Sequence, residues 1–149
     1  MSHNDELYQQ VILDHNRKPR NFGKLASCTN SAEGFNPVCG DHLWVYMVVA
    51  DFKIDHLQFE GSGCAISKAS ASMMTEALKG KSEGEARVIF SEFQRLLKGE
   101  LNPEKNENQL GRLRIFSGIW KYPARVKCAA LAWHAMHEAI GAQKRVSTE

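Results

Sequence analysis

Three short segments carry the residues best suited to chemistry: Cys39-Gly40-Asp41, Cys64 and Cys128. Three thiolates and one carboxylate make a tetrahedral donor set for zinc, which accepts sulfur and oxygen ligands and has no redox chemistry of its own. Iron–sulfur clusters also favour thiolates, so the ligand set is better defined than the metal. Free cysteines are among the most buried side chains, however, and could pack here as small hydrophobes. Without a local C-x-x-C pair, spacing alone leaves both readings open. Asp41 has a second reading too, as an acid at a strand entrance capping nearby amides.

The elements that must position these residues follow from the hydrophobic pattern. Residues 43–49 alternate Leu43, Val45, Met47 and Val49 with Trp44, Tyr46 and Val48, which predicts a strand largely covered on both faces. A second strand runs through Leu57 and Phe59, and the Asp51-Phe52-Lys53 link is short enough for an antiparallel hairpin. Such a hairpin returns the end of the second strand to the start of the first. Cys39, Asp41 and Cys64 then meet at one end of the sheet, and only Cys128 must arrive by tertiary packing.

Gly61 and Gly63 end the second strand, and the small residues Ala65, Ala69, Ser70, Ala71 and Ser72 predict a close-packed helix over 65–78, stopped by Gly80. Ser82 with Glu85 forms a capping box ahead of an apolar stripe of Ala86, Ile89, Phe90, Phe93, Leu96 and Leu97. Residues 99–109, with Gly99, Asn102, Pro103 and several charges, read as an exposed loop. Pro123 opens a last helix that runs through Val126, Ala130, Trp133, His137 and Ile140 towards Gly141, with Cys128 near its first turns. At the other end Leu7, Tyr8, Val11 and Ile12, behind the caps Asn4 and Asp5, predict a helix over 5–15 that Pro19 and Gly23 terminate.

A chain of 149 residues, 43% hydrophobic, suits one core, so residues 1–149 are read as a single α+β domain. The expected architecture is a small antiparallel sheet packed by several helices, with the metal site at one end. Residues 1–14 contain no secretion-type apolar stretch. The longest apolar run, Leu43–Ala50, is less than half of the ~18 residues a membrane span requires. These features predict a soluble, cytoplasmic protein with no membrane partner. A net charge of +2 falls short of the basic balance of a nucleic-acid-binding domain. Four cysteines in a chain without an export signal point to metal binding or redox chemistry in place of a disulfide framework.

Leu7-Tyr8 with Val11-Ile12-Leu13-Asp14-His15, Pro19-Arg20-Asn21, Asn36-Pro37-Val38-Cys39-Gly40-Asp41, Phe59-Glu60-Gly61-Ser62-Gly63-Cys64-Ala65-Ile66-Ser67, Ala69-Ser70-Ala71-Ser72-Met73-Met74 and Tyr122-Pro123-Ala124-Arg125-Val126-Lys127-Cys128-Ala129 are, together, highly specific. Along most of the chain they resemble the U-type iron–sulfur cluster assembly proteins, the IscU/NifU-like family. The long stretch between Cys64 and Cys128, and Lys127 where IscU-type scaffolds usually have histidine, place the resemblance nearer the SufU branch.

The resemblance implies a SufE/IscU-like fold and a zinc-binding sulfur acceptor with ligands Cys39, Asp41, Cys64 and Cys128. Such an acceptor takes persulfide sulfur from a SufS-like cysteine desulfurase and serves downstream iron–sulfur assembly proteins, as a sulfurtransferase-like acceptor more than a stand-alone enzyme. Cys39 is the first choice of acceptor, because Pro37 and Gly40 put it on an irregular segment able to swing out. Cys128 is the runner-up, since a helix N-terminus with Arg125 and Lys127 nearby favours a thiolate. Arg125 is the expected desulfurase contact, with a solvated arginine as its plain alternative.

The alternative function is a scaffold on which an iron–sulfur cluster, held by Cys39, Cys64 and Cys128, is assembled and then transferred. A third reading is a structural zinc module without sulfur transfer. Cys28 is read as a spectator thiol. His134 and His137, one turn apart, are read as packing more than ligation, and strand alternation points His42 away from the ligand sphere.

Overall fold

The alternating run Asp41–Ala50 forms the central strand, β2, of a three-stranded antiparallel sheet in the order β1-β2-β3, with β1 at Asn30–Asn36 and β3 at Lys53–Ser62. The computed structural model describes residues 2–148, and the side chains of residues 6–141. The predicted hairpin between β2 and β3 is present. Its turn places Asp51 (φ 53°) and Phe52 (φ 62°) in the left-handed region, so that the turn's twist matches that of the strands. Val48 pairs with His56 but Val49 with Ile54, which leaves Asp55 as the extra residue of a bulge.

β1 is absent from the sequence expectation, and its composition explains why. Asn30-Ser-Ala-Glu-Gly-Phe-Asn36 holds no β-branched residue and only one large apolar one. Its strand conformation comes from register with β2, Asn30 opposite Met47 through Asn36 opposite Asp41, and from a helix on its inner face. Gly34 admits that helix. A Cβ there would lie 3.2 Å from the Leu131 side chain.

Leu43, Val45, Met47, Ile54, Leu57 and Phe59 are fully buried on the sheet's inner face. On the other face Tyr46 is buried while Trp44 and Val48 are half-buried. Helix α2, at Ala65–Leu78 as predicted, and helix α4, at Pro123–Thr148, pack on the sheet and on each other. The small residues of α2 make that approach close enough for a buried relay. The Ser70 hydroxyl donates to the Ala129 carbonyl (2.6 Å), and Trp133 Nε1 donates to Ser70 Oγ (3.1 Å). Trp133 also stacks on Phe93 of α3, Glu83–Leu97, with centroids 4.5 Å apart. The Ser82–Glu85 capping box that starts α3 is formed in both directions.

Helix α1 spans Ser2–Arg17, longer than the expected 5–15. Asn4 and Asp5 therefore lie inside the helix and are not its caps; their side chains are outside those described. α1 seats on α2 through buried Ile12 and through His15, whose Nδ1 lies 2.7 Å from Ser72 Oγ. The segment after α3 is mostly exposed, as expected, but Leu101 and Leu110 are buried and tie it to the core. Two short 3-10 helices, Gly111–Phe116 and Ile119–Lys121, follow without having been predicted, since neither is long enough to show a periodicity. α4 continues through Gly141, where the sequence suggested an end, because one glycine lowers helix stability only by about 1 kcal/mol. Among the described residues no helix is long and apolar enough to cross a membrane.

Candidate metal centre

Cys39 sits in the turn joining β1 to β2, between the paired residues Asn36 and Asp41. The turn closes through Gly40 N–H to the Asn36 carbonyl (2.8 Å) and is tightened by Val38 N–H to Asn36 Oδ1 (3.1 Å). Gly40 has φ 77°, which disfavours a side chain. The Cys39 side chain is exposed, whereas Asp41, the first residue of β2, is only 1% exposed.

On the neighbouring strand, Ser62 pairs with His42, so the chain leaving β3 passes directly over Asp41. Gly61 (φ 135°) allows this, because a Cβ there would meet the His42 carbonyl oxygen at 2.2 Å. Gly63 has no room either. Its Cβ would lie 2.7 Å from Asp41 Oδ1. Cys64 then caps α2, its Sγ accepting the Ser67 amide (3.4 Å). Sheet geometry thus unites Cys39, Asp41 and Cys64 as the hairpin argument required. α4 brings the buried Cys128 across to them.

The Asp41 carboxylate is the hub. Oδ1 accepts the Cys64 amide (2.8 Å); Oδ2 accepts the Ser67 hydroxyl (2.9 Å) and the Cys39 thiol (3.0 Å), with Cys64 Sγ 3.8 Å away. Cys39 and Cys128 Sγ atoms are 3.8 Å apart. Donor atoms of Cys39, Asp41 and Cys128 all lie within 4.8 Å of one another, so they can hold a metal ion; Cys64 borders this tight set through Asp41. Two sulfurs and one oxygen at this spacing are donors of the kind that zinc accepts.

Burial pushes the Asp41 carboxyl upward, but donors from Cys39, Cys64, Ser67 and Cys128 outweigh it and hold the group below its ordinary value. Cys128 moves the other way. Burial first, then Cys64 and Asp41, raise its thiol well above the ordinary cysteine value. Burial and these neighbours act against the thiolate that the start of α4 was expected to favour.

Arg125 lies in the first turn of α4 with its guanidinium 4.6 Å from the Tyr122 ring centre. Lys127 lines a groove with Phe35, Asn36, Pro37 and Lys98. Tyr8, on α1, has a buried hydroxyl without a hydrogen-bond partner among the described residues; burial raises its pKa, and Arg125, Cys64 and Cys128 also act on it. His42 points elsewhere, pairing with Glu33 and stacking on Trp44. His134 and His137 pack on Phe90, and Cys28 is half-buried outside the cluster. Sequence reasoning missed Ser67 as part of the site. No signal local to the helix could have found it, because its hydroxyl meets a carboxylate 26 residues away in the chain.

Residues 7–129 match the NifU-like N-terminal domain. The chain belongs to that family. The iron–sulfur cluster assembly scaffold protein IscU of Streptococcus pyogenes serotype M1 is 39% identical over 136 residues, 91% of this chain and 84% of its own length. The zinc-dependent sulfurtransferase SufU of Bacillus subtilis is 38% identical over 140 residues, 94% of this chain and 93% of its own. Among solved structures, FiSufU from Fervidobacterium islandicum AW-1 superposes with a TM-score of 0.81 at 34% identity, covering 87% of this chain and 93% of that one. These relatives place the family member described here among proteins of iron–sulfur cluster assembly.

Proposed function

We propose that this protein is a zinc-binding sulfur acceptor that takes persulfide sulfur from a cysteine desulfurase for iron–sulfur cluster assembly. The observation that carries the reading is the asymmetry of the cysteines: Cys39 is exposed on a hairpin turn, 3.8 Å from the buried Cys128 and 3.0 Å from a buried carboxylate. A sulfur acceptor needs one thiol that a partner can reach and a fixed site that it can leave and rejoin. The 38% identical SufU, a zinc-dependent sulfurtransferase, supports the same reading.

Cys39, Asp41, Cys64 and Cys128 would hold the metal, with Cys64 Sγ brought in from α2. Zinc, when bound, keeps its thiol ligands deprotonated. In the transfer, the Cys39 thiolate attacks the terminal sulfur of the desulfurase persulfide. A new Cys39 Sγ–S bond forms, the desulfurase S–S bond breaks, and its cysteine leaves as a thiolate. No net oxidation occurs. Cys128, buried and with a raised pKa, is less suited to this attack. Arg125, on the rim and ordered by Tyr122, is the desulfurase contact.

The test is desulfurase turnover while the zinc-loaded protein is titrated in without added iron. Saturable stimulation that disappears in Cys39→Ala is expected; no stimulation by the intact protein would overturn the reading. The 39% identical IscU favours the second reading, a scaffold for cluster assembly and transfer. On that reading Cys39, Cys64 and Cys128 hold the cluster and Lys127 stands where a further ligand is missing. Lys127→His should then stabilise a cluster reconstituted anaerobically.

A further inference from the structure

A buried carboxylate with both oxygens engaged cannot choose freely how it meets a metal. Asp41 is 1% exposed, walled by Gly63 on the Oδ1 side, and the Cys64 amide occupies Oδ1 at 2.8 Å. That amide belongs to the backbone that caps α2, so Oδ1 is committed to the fold. Oδ2 faces the sulfurs and accepts two close donors, the Cys39 thiol at 3.0 Å and the Ser67 hydroxyl at 2.9 Å, with the Cys64 thiol further off at 3.8 Å. The two differ in permanence. Cys39 lies on the exposed β1–β2 turn and is itself a proposed ligand, so its contact with Oδ2 is not fixed by packing. Ser67 is 0% exposed, on the first turn of α2, and its hydroxyl has no reason to leave.

We propose that Ser67 is a positioning residue: it holds Asp41 as a one-oxygen ligand, with Oδ2 turned to the metal and Oδ1 kept on the Cys64 amide. The assignment rests on the zinc reading above. Ser67 also donates its amide to Cys64 Sγ at 3.4 Å, so one residue of α2 orients two of the four donors. Loss of the hydroxyl takes from Oδ2 its one buried donor and leaves only the Oδ1 contact with the Cys64 amide to fix the carboxylate to the backbone. Outer partners of metal ligands are typically worth about 10–100-fold in affinity.

The first measurement uses the parent protein loaded with one equivalent of zinc. X-ray absorption at the zinc edge should show three sulfurs and a single oxygen; two carboxylate oxygens in the first shell would overturn the assignment. The second is chelator competition on Ser67→Ala, a substitution that suits a helix and keeps the amide contact. Zinc affinity is expected to fall about 10–100-fold, and parent-like affinity would overturn the proposal. A double-mutant cycle separates positioning from general packing. In an Asp41→Ala background, Ser67→Ala should change affinity no further, and a second loss of the full size would show that Ser67 acts elsewhere. If the parent takes up no zinc through its cysteines, the zinc reading itself fails, and this shows before any variant is made.

Discussion

Cys39 and Cys128 share a residue type and a site but not an environment, and their reactivities should separate. Cys128 is 8% exposed with a raised pKa, while Cys39 and Cys64 are exposed. Iodoacetamide at pH 8, followed by mass spectrometry of the peptides, should therefore label Cys39 and Cys64 before Cys128. Labelling of Cys128 first would contradict the burial. Asp41 makes a stronger demand. Asp41→Ala removes the proposed oxygen ligand and strips the Cys64 amide and Ser67 hydroxyl of their acceptor. A buried donor left unpaired, here the Ser67 hydroxyl, costs about 1–3 kcal/mol, so the variant should lose both zinc affinity and metal-free stability in denaturant titration. Cys39→Ser, on an exposed turn, should lose affinity while metal-free stability stays within about 0.5 kcal/mol. Cys39, Asp41, Cys64 and Cys128 were legible in the sequence as residue types with the right donors. Ser67 was not, because a helix serine gains meaning only from the carboxylate that the neighbouring strand puts above it.

At the scale of elements, α1 is held to α2 by a histidine. His15 is 2% exposed, with Nδ1 against Ser72 Oγ (2.7 Å) and Nε2 3.7 Å from Glu76 Oε1. Burial chiefly, and Arg20 next, hold its pKa below the ordinary 6.5, with Glu76 opposing. The folded state thus takes up the proton less readily than the unfolded chain. Stability is fully present above about pH 6.5 and falls as the pH drops below it towards the folded value. Urea titrations of the metal-free protein between pH 7.5 and 5.5 should show this decline, and His15→Gln should shrink it; His134, also depressed by burial, accounts for part of the remainder. The start of α3 offers a separate check. Ser82→Ala removes the hydroxyl that accepts the Glu85 amide, leaves the Glu85 carboxylate on the backbone amide of residue 82, and should cost about 1 kcal/mol by the same titration at neutral pH. α3 and its cap were readable because the capping box and the 3.6-residue stripe are local. β1 was not, since its polar sequence becomes a strand only beside β2 and under α4.

On the scale of the whole molecule, the proposed donors come from parts far apart in the chain: the β1–β2 turn, the start of β2, the cap of α2 and the second turn of α4. A metal shared among them cross-links the fold. Zinc should therefore raise the midpoint of thermal unfolding, and a chelator should lower it again. With free zinc at one hundred times the dissociation constant the gain is about 2.7 kcal/mol. An unchanged melting curve with zinc bound would mean that the site retains equal affinity in the unfolded chain.

The sequence alone determined the parts whose physics is local: the alternating strand, the hairpin that returns Cys64 to Asp41, the capped helix and the proline start of α4. It also determined which residues had donors fit for a metal. Tertiary structure alone decided which donor is reachable and which is desolvated. Exposure of Cys39, burial of Cys128 and the Ser67 grip on Asp41 all depend on how α2 and α4 pack against the end of the sheet. Burial and hydrogen-bond direction are properties of neighbours distant in sequence, and no local pattern encodes them.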